Sequence, residues 1–253
     1  MTTRVTKKAN NKMGENAAVP SAPAISGIRD NYQAALAWIH TEAARLPLTT
    51  PTILRLHALS HPEGYDSGKF KEQDGEIIEK HPDGRVTLRF KPLSAAETPT
   101  AIATVCKFSD RLVKEQAIPP LIVWAAMNLD FLCIHPFRDG NGRVSRLLLL
   151  LSLYHFGFTA GRYISLERII EQTKERYYET LQASSQGWHD GKHDAWPYVN
   201  YLLFTLKEVY QEFENRHENT SLPLGEKTEV VRQAVTGFHG EFHVTVDSNE
   251  AAP

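Results

Sequence analysis

One stretch of this sequence carries side chains that could do chemistry together: His135, Pro136, Phe137, Arg138, Asp139, Gly140, Asn141, Gly142, Arg143, Val144, Ser145 and Arg146. It combines a titratable base, a carboxylate, two glycines and two arginines three positions apart. Gly140 and Gly142 permit backbone conformations and close approaches that a Cβ would block. A helix predicted to start directly afterwards turns its free N–H groups back into the turn, which makes an anion site. Arg143 and Arg146 fall on one face of that helix's first turn and can clamp two phosphates of a nucleotide. Asp139 has the chemistry to hold a divalent cation such as Mg2+ between those phosphates. His135, at the end of the preceding helix, can take a proton from an attacking hydroxyl. The pattern is not a Walker loop, since no Gly-Lys-Ser/Thr follows, and no strand precedes it as a dinucleotide fingerprint requires. A helix–loop–helix turn with a capping Asp and surface arginines explains any one of these residues, but not the set.

Two strongly apolar helices must position the stretch. From Pro119-Pro120 the sequence predicts a helix to Ile134 with Leu121, Ile122, Val123, Trp124, Met127, Leu129, Phe131 and Leu132 nearly all round it, the pattern of a helix at the centre of a domain. The next, from Asn141 to about Phe156, has the same character, with Gly157 placed to end it. Pro136 ends the first helix, and Phe137 is expected to point into the core. Helical periodicity from Ile28 through Tyr32, Leu36, Ala37 and Ile39 predicts an amphipathic helix to about Leu46. Thr50-Pro51 opens another, through Leu54, Leu56 and Leu59. Further helices are predicted from Pro99 to about Lys114, over 166–186 and over 194–217.

Residues 76–91 differ. Ile77-Ile78, His81-Pro82-Asp83-Gly84 and the alternation of Val86, Leu88 and Phe90 with Thr87 and Arg89 predict a hairpin, with the first set packed inward. A lone hairpin is marginal in water and must lean on the helices around it. The fold class is therefore mainly α, a helical bundle carrying one β-hairpin.

Bulk properties set limits. With 253 residues, 42% of them hydrophobic, the chain can build a sizeable core, and a net charge of -2 gives no overall attraction to nucleic acid or an anionic membrane. Cys106 and Cys133 have neither metal-ligand nor redox spacing and suit buried free thiols in a reducing cytoplasm. The first twenty residues carry Lys7, Lys8 and Lys12 without an apolar segment, unlike a signal peptide, and the run Leu147 to Leu151 is too short to span a membrane. Residues 1–27 are expected to form a loosely ordered arm, 28–220 the main domain, and 221–253 an appendage too small for its own core. Within that appendage, 227–235 suits a short helix and 238–246 a strand. His189 and His193 have metal-like spacing without a third ligand, so a solvated turn is expected there, and His61-Pro62-Glu63-Gly64 suits a loop.

The stretch from His135 to Arg146 matches His-Pro-Phe-x-Asp/Glu-Gly-Asn-Gly/Lys-Arg-x-x-Arg at every defined position, and in it the chain resembles the Fic-domain family. The resemblance covers about residues 30–217, with the hairpin, the two buried helices and the later Ser165-Leu166-Glu167-Arg168-Ile169-Ile170 and Tyr177-Tyr178-Glu179-Thr180-Leu181 segments in the family's order. It implies a helical enzyme with a β-hairpin flap, a protein adenylyltransferase that moves AMP from Mg-ATP to a hydroxyl side chain of a target protein. By position it implies His135 as general base toward a Ser, Thr or Tyr, and Asp139 as the Mg2+ ligand between the α- and β-phosphates. Gly140, Asn141 and Gly142 would line the anion hole, and Arg143 and Arg146 would hold the β- and γ-phosphates, with Val144 and Ser145 in the same ATP-binding set. The hairpin becomes a flap that pairs with the target by strand addition, its exposed part being Thr87, Leu88, Arg89 and Phe90. Tyr177 matches a position bordering the adenosine; as residues alone, two tyrosines on a helix suit core and rim.

Many family members restrain themselves with a glutamate that pairs with the second motif arginine, here Arg146. The nearest segment is Asn11-Lys12-Met13-Gly14-Glu15-Asn16, where Asn11 replaces the expected hydroxyl residue and Gly14 weakens the helix. The chain is accordingly expected to be uninhibited, restrained by a separate inhibitory protein, or lacking part of its N-terminal region. Relatives often continue into a winged helix; 227–235 resembles its first helix and the recognition helix is lacking, so DNA binding is not expected. The expected partner is the target protein, with no membrane; a separate inhibitory protein and a second copy in a homodimer stay open. Two alternatives stay open: transfer of another nucleotide or phosphate-containing group, and a regulatory module that binds nucleotide without turnover.

Overall fold

Prolines and apolar periodicity set the helix starts. In a computed structural model of the chain, which describes residues 4–8, 22–81 and 83–219, the elements run β1 (Arg4–Lys8), α1 (Ala22–Glu42), α2 (Thr50–Ser60), β2 (Glu76–Lys80), β3 (Val86–Phe90), α3 (Thr98–Lys114), α4 (Pro120–Ile134), α5 (Asn141–His155), α6 (Leu166–Gln172), α7 (Lys174–Ser185) and α8 (Trp196–Asn219). A proline stands in the first turn of α2, α3 and α4, where its missing N–H forfeits no helical hydrogen bond. Pro23 has the same place in α1, which begins at Ala22, ahead of the periodic segment. The residues up to Phe213 form one unit, and a second begins at Glu214. The segments singled out at 11–16, 227–235 and 238–246 lie outside the described residues. Among the described residues no helix is long and apolar enough to cross a membrane.

The centre is α4 against α5. Val123, Trp124, Met127, Leu129, Phe131 and Ile134 of α4 are buried, as are five consecutive leucines of α5, Leu147, Leu148, Leu149, Leu150 and Leu151. Each such side chain contributes roughly 1.5–3 kcal/mol by leaving water. Residues of α1, α2, α3 and α8 complete the same core. Its few polar groups are matched. The Trp124 Nε1–H donates to the Leu149 carbonyl at 2.9 Å. Asn128 donates to the Ser145 carbonyl at 3.0 Å and accepts from the Ser145 hydroxyl at 3.0 Å and the Tyr198 hydroxyl at 2.7 Å. That node joins α4, α5 and α8 and leaves no buried donor there to weaken the core.

Two features depart from the sequence expectation. The predicted helical stretch over 166–186 is two helices, broken at Thr173 (φ -113, ψ 26). The Thr173 hydroxyl bonds the Ile169 carbonyl at 2.8 Å and the Tyr201 hydroxyl at 2.9 Å, so a β-branched residue anchored to α8 interrupts the helical run. The hairpin forms, but β1 pairs antiparallel along β2, within the segment expected as a loose arm, giving the order β1-β2-β3. Val86 and Leu88 do not pack inward; they are 56% and 53% exposed, because only Arg89 and Phe90 of β3 are partly buried. Only its end is held, with Phe90 stacked on His189 at 5.5 Å and His189 donating to the Lys91 carbonyl at 2.7 Å.

Candidate active site

α4 stops at Ile134 because His135 adopts a left-handed backbone (φ 51, ψ 62), its N–H bonding the Phe131 carbonyl at 2.9 Å. Pro136 follows and cannot extend the helix. A non-glycine residue in that region stores strain of about 1–3 kcal/mol, a cost concentrated at functional positions. The loop ends at Gly140 (φ +81), from which α5 starts, with the Val144 N–H on the Gly140 carbonyl at 3.0 Å. Glycine is favoured there by the positive φ, and a Cβ would sit in contact with the His57 ring at 3.4 Å.

Two side chains hold the loop between these ends. Phe137 is fully buried and stacks on His57 at 3.9 Å and 5°. Asn141, also buried, accepts the Phe137 N–H at 2.8 Å and donates to the Phe137 carbonyl at 2.7 Å. That double bond needs a short side chain with one acceptor and one donor, which an ionised Asp lacks.

His135 Nδ1 lies 3.3 Å from the Leu132 carbonyl, so Nδ1 carries the proton of the neutral ring and Nε2 is the basic nitrogen. His135 borders a cavity of about 810 Å³, of a size for a nucleotide. Asp139, Gly140, Asn141, Gly142, Arg143 and Arg146 line it, together with His61 and Tyr65, Arg89 and Phe90 of β3, and Tyr177, Tyr178, Leu181 and Gln182 of α7. The first N–H groups of α5 belong to this same turn and supply the positive end of the helix dipole.

The arginines diverge despite sharing a helix face. Arg143 donates to the Ser60 carbonyl at 3.0 Å and to His61 Nδ1 at 3.1 Å, and lies 3.6 Å from the Asp139 carboxylate. Around Arg146 stand Tyr32, Tyr177 and Glu167; burial alone would lower its pKa, but these partners outweigh it and keep the guanidinium charged. The Tyr32 hydroxyl donates to Glu167 at 2.7 Å, and burial and that carboxylate push its pKa up.

Two residues of the expected ATP-binding set are placed elsewhere. Val144 is fully buried in the core and Ser145 gives its hydroxyl to Asn128, because a helical step turns both away from the face of Arg143 and Arg146. Of the expected flap, Arg89 and Phe90 line the cavity, as does Ile77 of β2, while Thr87, hydrogen-bonded to His81 at 2.9 Å, and the exposed Leu88 do not. Arg89 is held there by Glu79 at 2.7 Å. Tyr177 is buried and touches the cavity, while Tyr178 is its half-exposed neighbour, so the pair is both core and rim.

The loop's supports had no motif to announce them. Lys71, buried, donates its ammonium to the Ile134 carbonyl at 2.9 Å and the Leu93 carbonyl at 2.5 Å, and its N–H to the Pro136 carbonyl at 2.8 Å. It therefore brackets His135 from both sides. His57 falls on the stripe of Ile53, Leu56 and Ser60, and a polar residue on a buried helix face was the only signal available. His61, expected in a plain loop, partners Arg143.

Among the described residues no group of three or more His, Cys, Asp or Glu side chains could hold a metal ion. The Asp139 carboxylate, 73% exposed, suits Mg2+ that keeps waters and takes its remaining ligands from phosphates. Cys133 borders the cavity, and burial pushes its thiol far above the ordinary range and that of Cys106 up to about 11. Neither is expected to react with a thiol-specific reagent at neutral pH until the chain is denatured; rapid labelling of the native protein would refute this.

Residues 47–153 match the Fic/DOC family. The chain is 27% identical over 163 residues to the protein adenylyltransferase Fic of Drosophila willistoni, covering 62% of this chain and 28% of that protein. It is 26% identical over 159 residues to the one from Culex quinquefasciatus, covering 61% and 27%. The chain thus spans little more than a quarter of the length of these relatives. Among solved structures, a Fic-domain-containing signaling protein from Bacteroides thetaiotaomicron superposes with a TM-score of 0.61 at 22% identity, over 77% of this chain and 73% of that one. A Fic family protein from Desulfovibrio desulfuricans gives 0.57 at 22% identity, over 85% and 60%. These two likenesses concern the fold.

Proposed function

The chain carries a domain of the Fic/DOC family, and from that premise we propose that it is a protein adenylyltransferase, moving AMP from Mg-ATP to a Ser, Thr or Tyr hydroxyl of a target protein. The observation that carries this reading is the meeting, in one nucleotide-sized cavity, of a histidine of defined tautomer with the N-terminus of α5, a carboxylate and two arginines. The target oxygen attacks the α-phosphorus, the bond from that phosphorus to the bridging oxygen of the leaving pyrophosphate breaks, and the hydroxyl proton goes to His135 Nε2. The turn at Gly140, Asn141 and Gly142 and the side chains of Arg143 and Arg146 hold the phosphate oxygens, with the donors in place before charge develops. Mg2+ held by Asp139 would neutralise charge on the phosphate chain. The outer position of β3 and the presence of Arg89 and Phe90 at the cavity support strand addition by the target. The buried free thiols support a cytoplasmic setting.

The test is mass spectrometry of candidate proteins, and of the chain itself, after incubation with Mg2+ and each common nucleoside triphosphate. An AMP adduct on a hydroxyl, formed with ATP and abolished by a chelator, is the expected result. Adducts of another nucleotide would replace the AMP reading, and nucleotide binding without any adduct would reduce the domain to a regulatory module.

A further inference from the structure

His57 lies on α2, far in sequence from the loop, yet the loop is built on its ring. The Gly68 N–H donates to His57 Nδ1 at 3.0 Å, so that nitrogen carries no proton. The single proton of the neutral imidazole must then sit on Nε2, which donates to the Asp139 carbonyl at 3.2 Å. One face of the ring stacks on Phe137 at 3.9 Å, and its edge lies against Gly140, 3.4 Å from where a Cβ would stand. The ring is itself 0% exposed and cannot swing away without opening the core. Phe137, Asp139 and Gly140 are thus all registered on one buried, tautomer-locked ring.

The Asp139 side chain, in contrast, is 73% exposed and has Arg143 at 3.6 Å as its ion-pair partner. A 3.6 Å contact to a guanidinium already committed to Ser60 and His61 holds an exposed carboxylate weakly. Its direction therefore depends on where its backbone is fixed, and His57 bonds that backbone. We propose that His57 is the positioning residue for Asp139, setting the carboxylate to receive the divalent cation that accompanies the nucleotide. This rests on the reading of Asp139 as the metal ligand. His57 itself touches neither metal nor nucleotide; it acts as an outer-shell partner, whose loss typically costs roughly 10–100-fold in metal affinity.

Three variants of the full chain separate positioning from mere support. His57→Gln can place an amide N–H near Nε2 and keep the bond to Asp139. His57→Asn can keep only the bond from Gly68, and His57→Phe keeps the stack but neither bond. Binding of Mn2+ in the presence of α,β-methylene-ATP, which cannot be cleaved at that position, is read by electron paramagnetic resonance. Binding of the nucleotide with a chelator present is read by calorimetry. Mn2+ affinity is expected to fall roughly 10–100-fold in His57→Asn and His57→Phe and to stay within about threefold of wild type in His57→Gln, with metal-free nucleotide affinity changed less than about threefold throughout. Equal Mn2+ affinities for the Gln and Asn variants would overturn the inference, as would wild-type affinity in His57→Phe. If His57→Phe does not fold, the Gln–Asn pair still decides. A wild-type chain that binds Mn2+ and nucleotide together but transfers nothing overturns the transferase reading, while the variants still decide this one. A wild-type chain whose nucleotide binding is indifferent to Mn2+ overturns this inference.

Discussion

His135→Ala is expected to slow nucleotide transfer by about 10²–10⁴-fold while leaving nucleotide binding within about threefold of wild type. The split follows from where the ring acts. In the proposed reading the phosphates are held by the first turn of α5 and by Arg143 and Arg146, which line the cavity without resting on the imidazole. In the proposed mechanism the ring is the proton acceptor, and the Leu132 carbonyl keeps its proton on Nδ1, which leaves the basic lone pair on Nε2. Alanine also occupies the left-handed backbone at φ 51 unfavourably, at about 1–2 kcal/mol. His135→Asn is the better-behaved companion, because asparagine tolerates that conformation and still lacks a base. Both variants should lose transfer alike in single-turnover assays, with binding followed by calorimetry. Near-normal turnover in His135→Asn would remove His135 from the mechanism.

Phe137→Ala is expected to lower the free energy of unfolding by about 3–5 kcal/mol, a large part of the stability of a domain. The side chain is wholly buried, stacked on His57 and within aromatic contact of Phe70 at 5.9 Å and Phe131 at 6.3 Å. Its neighbours belong to α2, α4 and the loop before β2, so the void would be walled by elements that cannot collapse together. Phe137→Leu should cost less, since it refills part of the volume. Urea denaturation measures both, and a loss below about 1.5 kcal/mol in the alanine variant would mean that the site relaxes around the gap. Because the same ring seats His57, transfer by any folded Phe137→Ala protein should fall as well.

Much of this molecule is legible locally. The starts of α2, α3 and α4 follow from prolines, and the burial of α4 and α5 from their unbroken apolar composition. The hairpin follows from its alternation and from the turn at Gly84 (φ +83). The inward turn of Phe137 was also readable, since an aromatic residue between a helix-ending proline and a polar turn has one apolar place to go. Even the displacement of Val144 and Ser145 from the cavity follows from helical periodicity, once Arg143 and Arg146 are assigned to the cavity face.

Other features needed neighbours distant in sequence. Val86 and Leu88 alternate like buried strand residues, and their exposure depends on which part of the strand meets the helical core, here the end at Phe90. Helical spacing puts Arg143 and Arg146 side by side, but their long side chains follow their partners, Ser60 and His61 for one, Tyr32 and Glu167 around the other. Thr173 breaks a helical run because Tyr201 of another helix meets its hydroxyl.

By itself the sequence determined which residues could do the chemistry, because a base, a carboxylate, glycines and arginines at fixed spacing on a helix start are properties of adjacent residues. The tertiary structure alone decided what holds them in place. His57, Lys71, Tyr32 and Glu167 come from segments outside the motif, through directional hydrogen bonds and stacking whose partners are chosen by packing. Spacing along a chain encodes local geometry; the orientation of an imidazole or a carboxylate depends on contacts that only the folded core brings together.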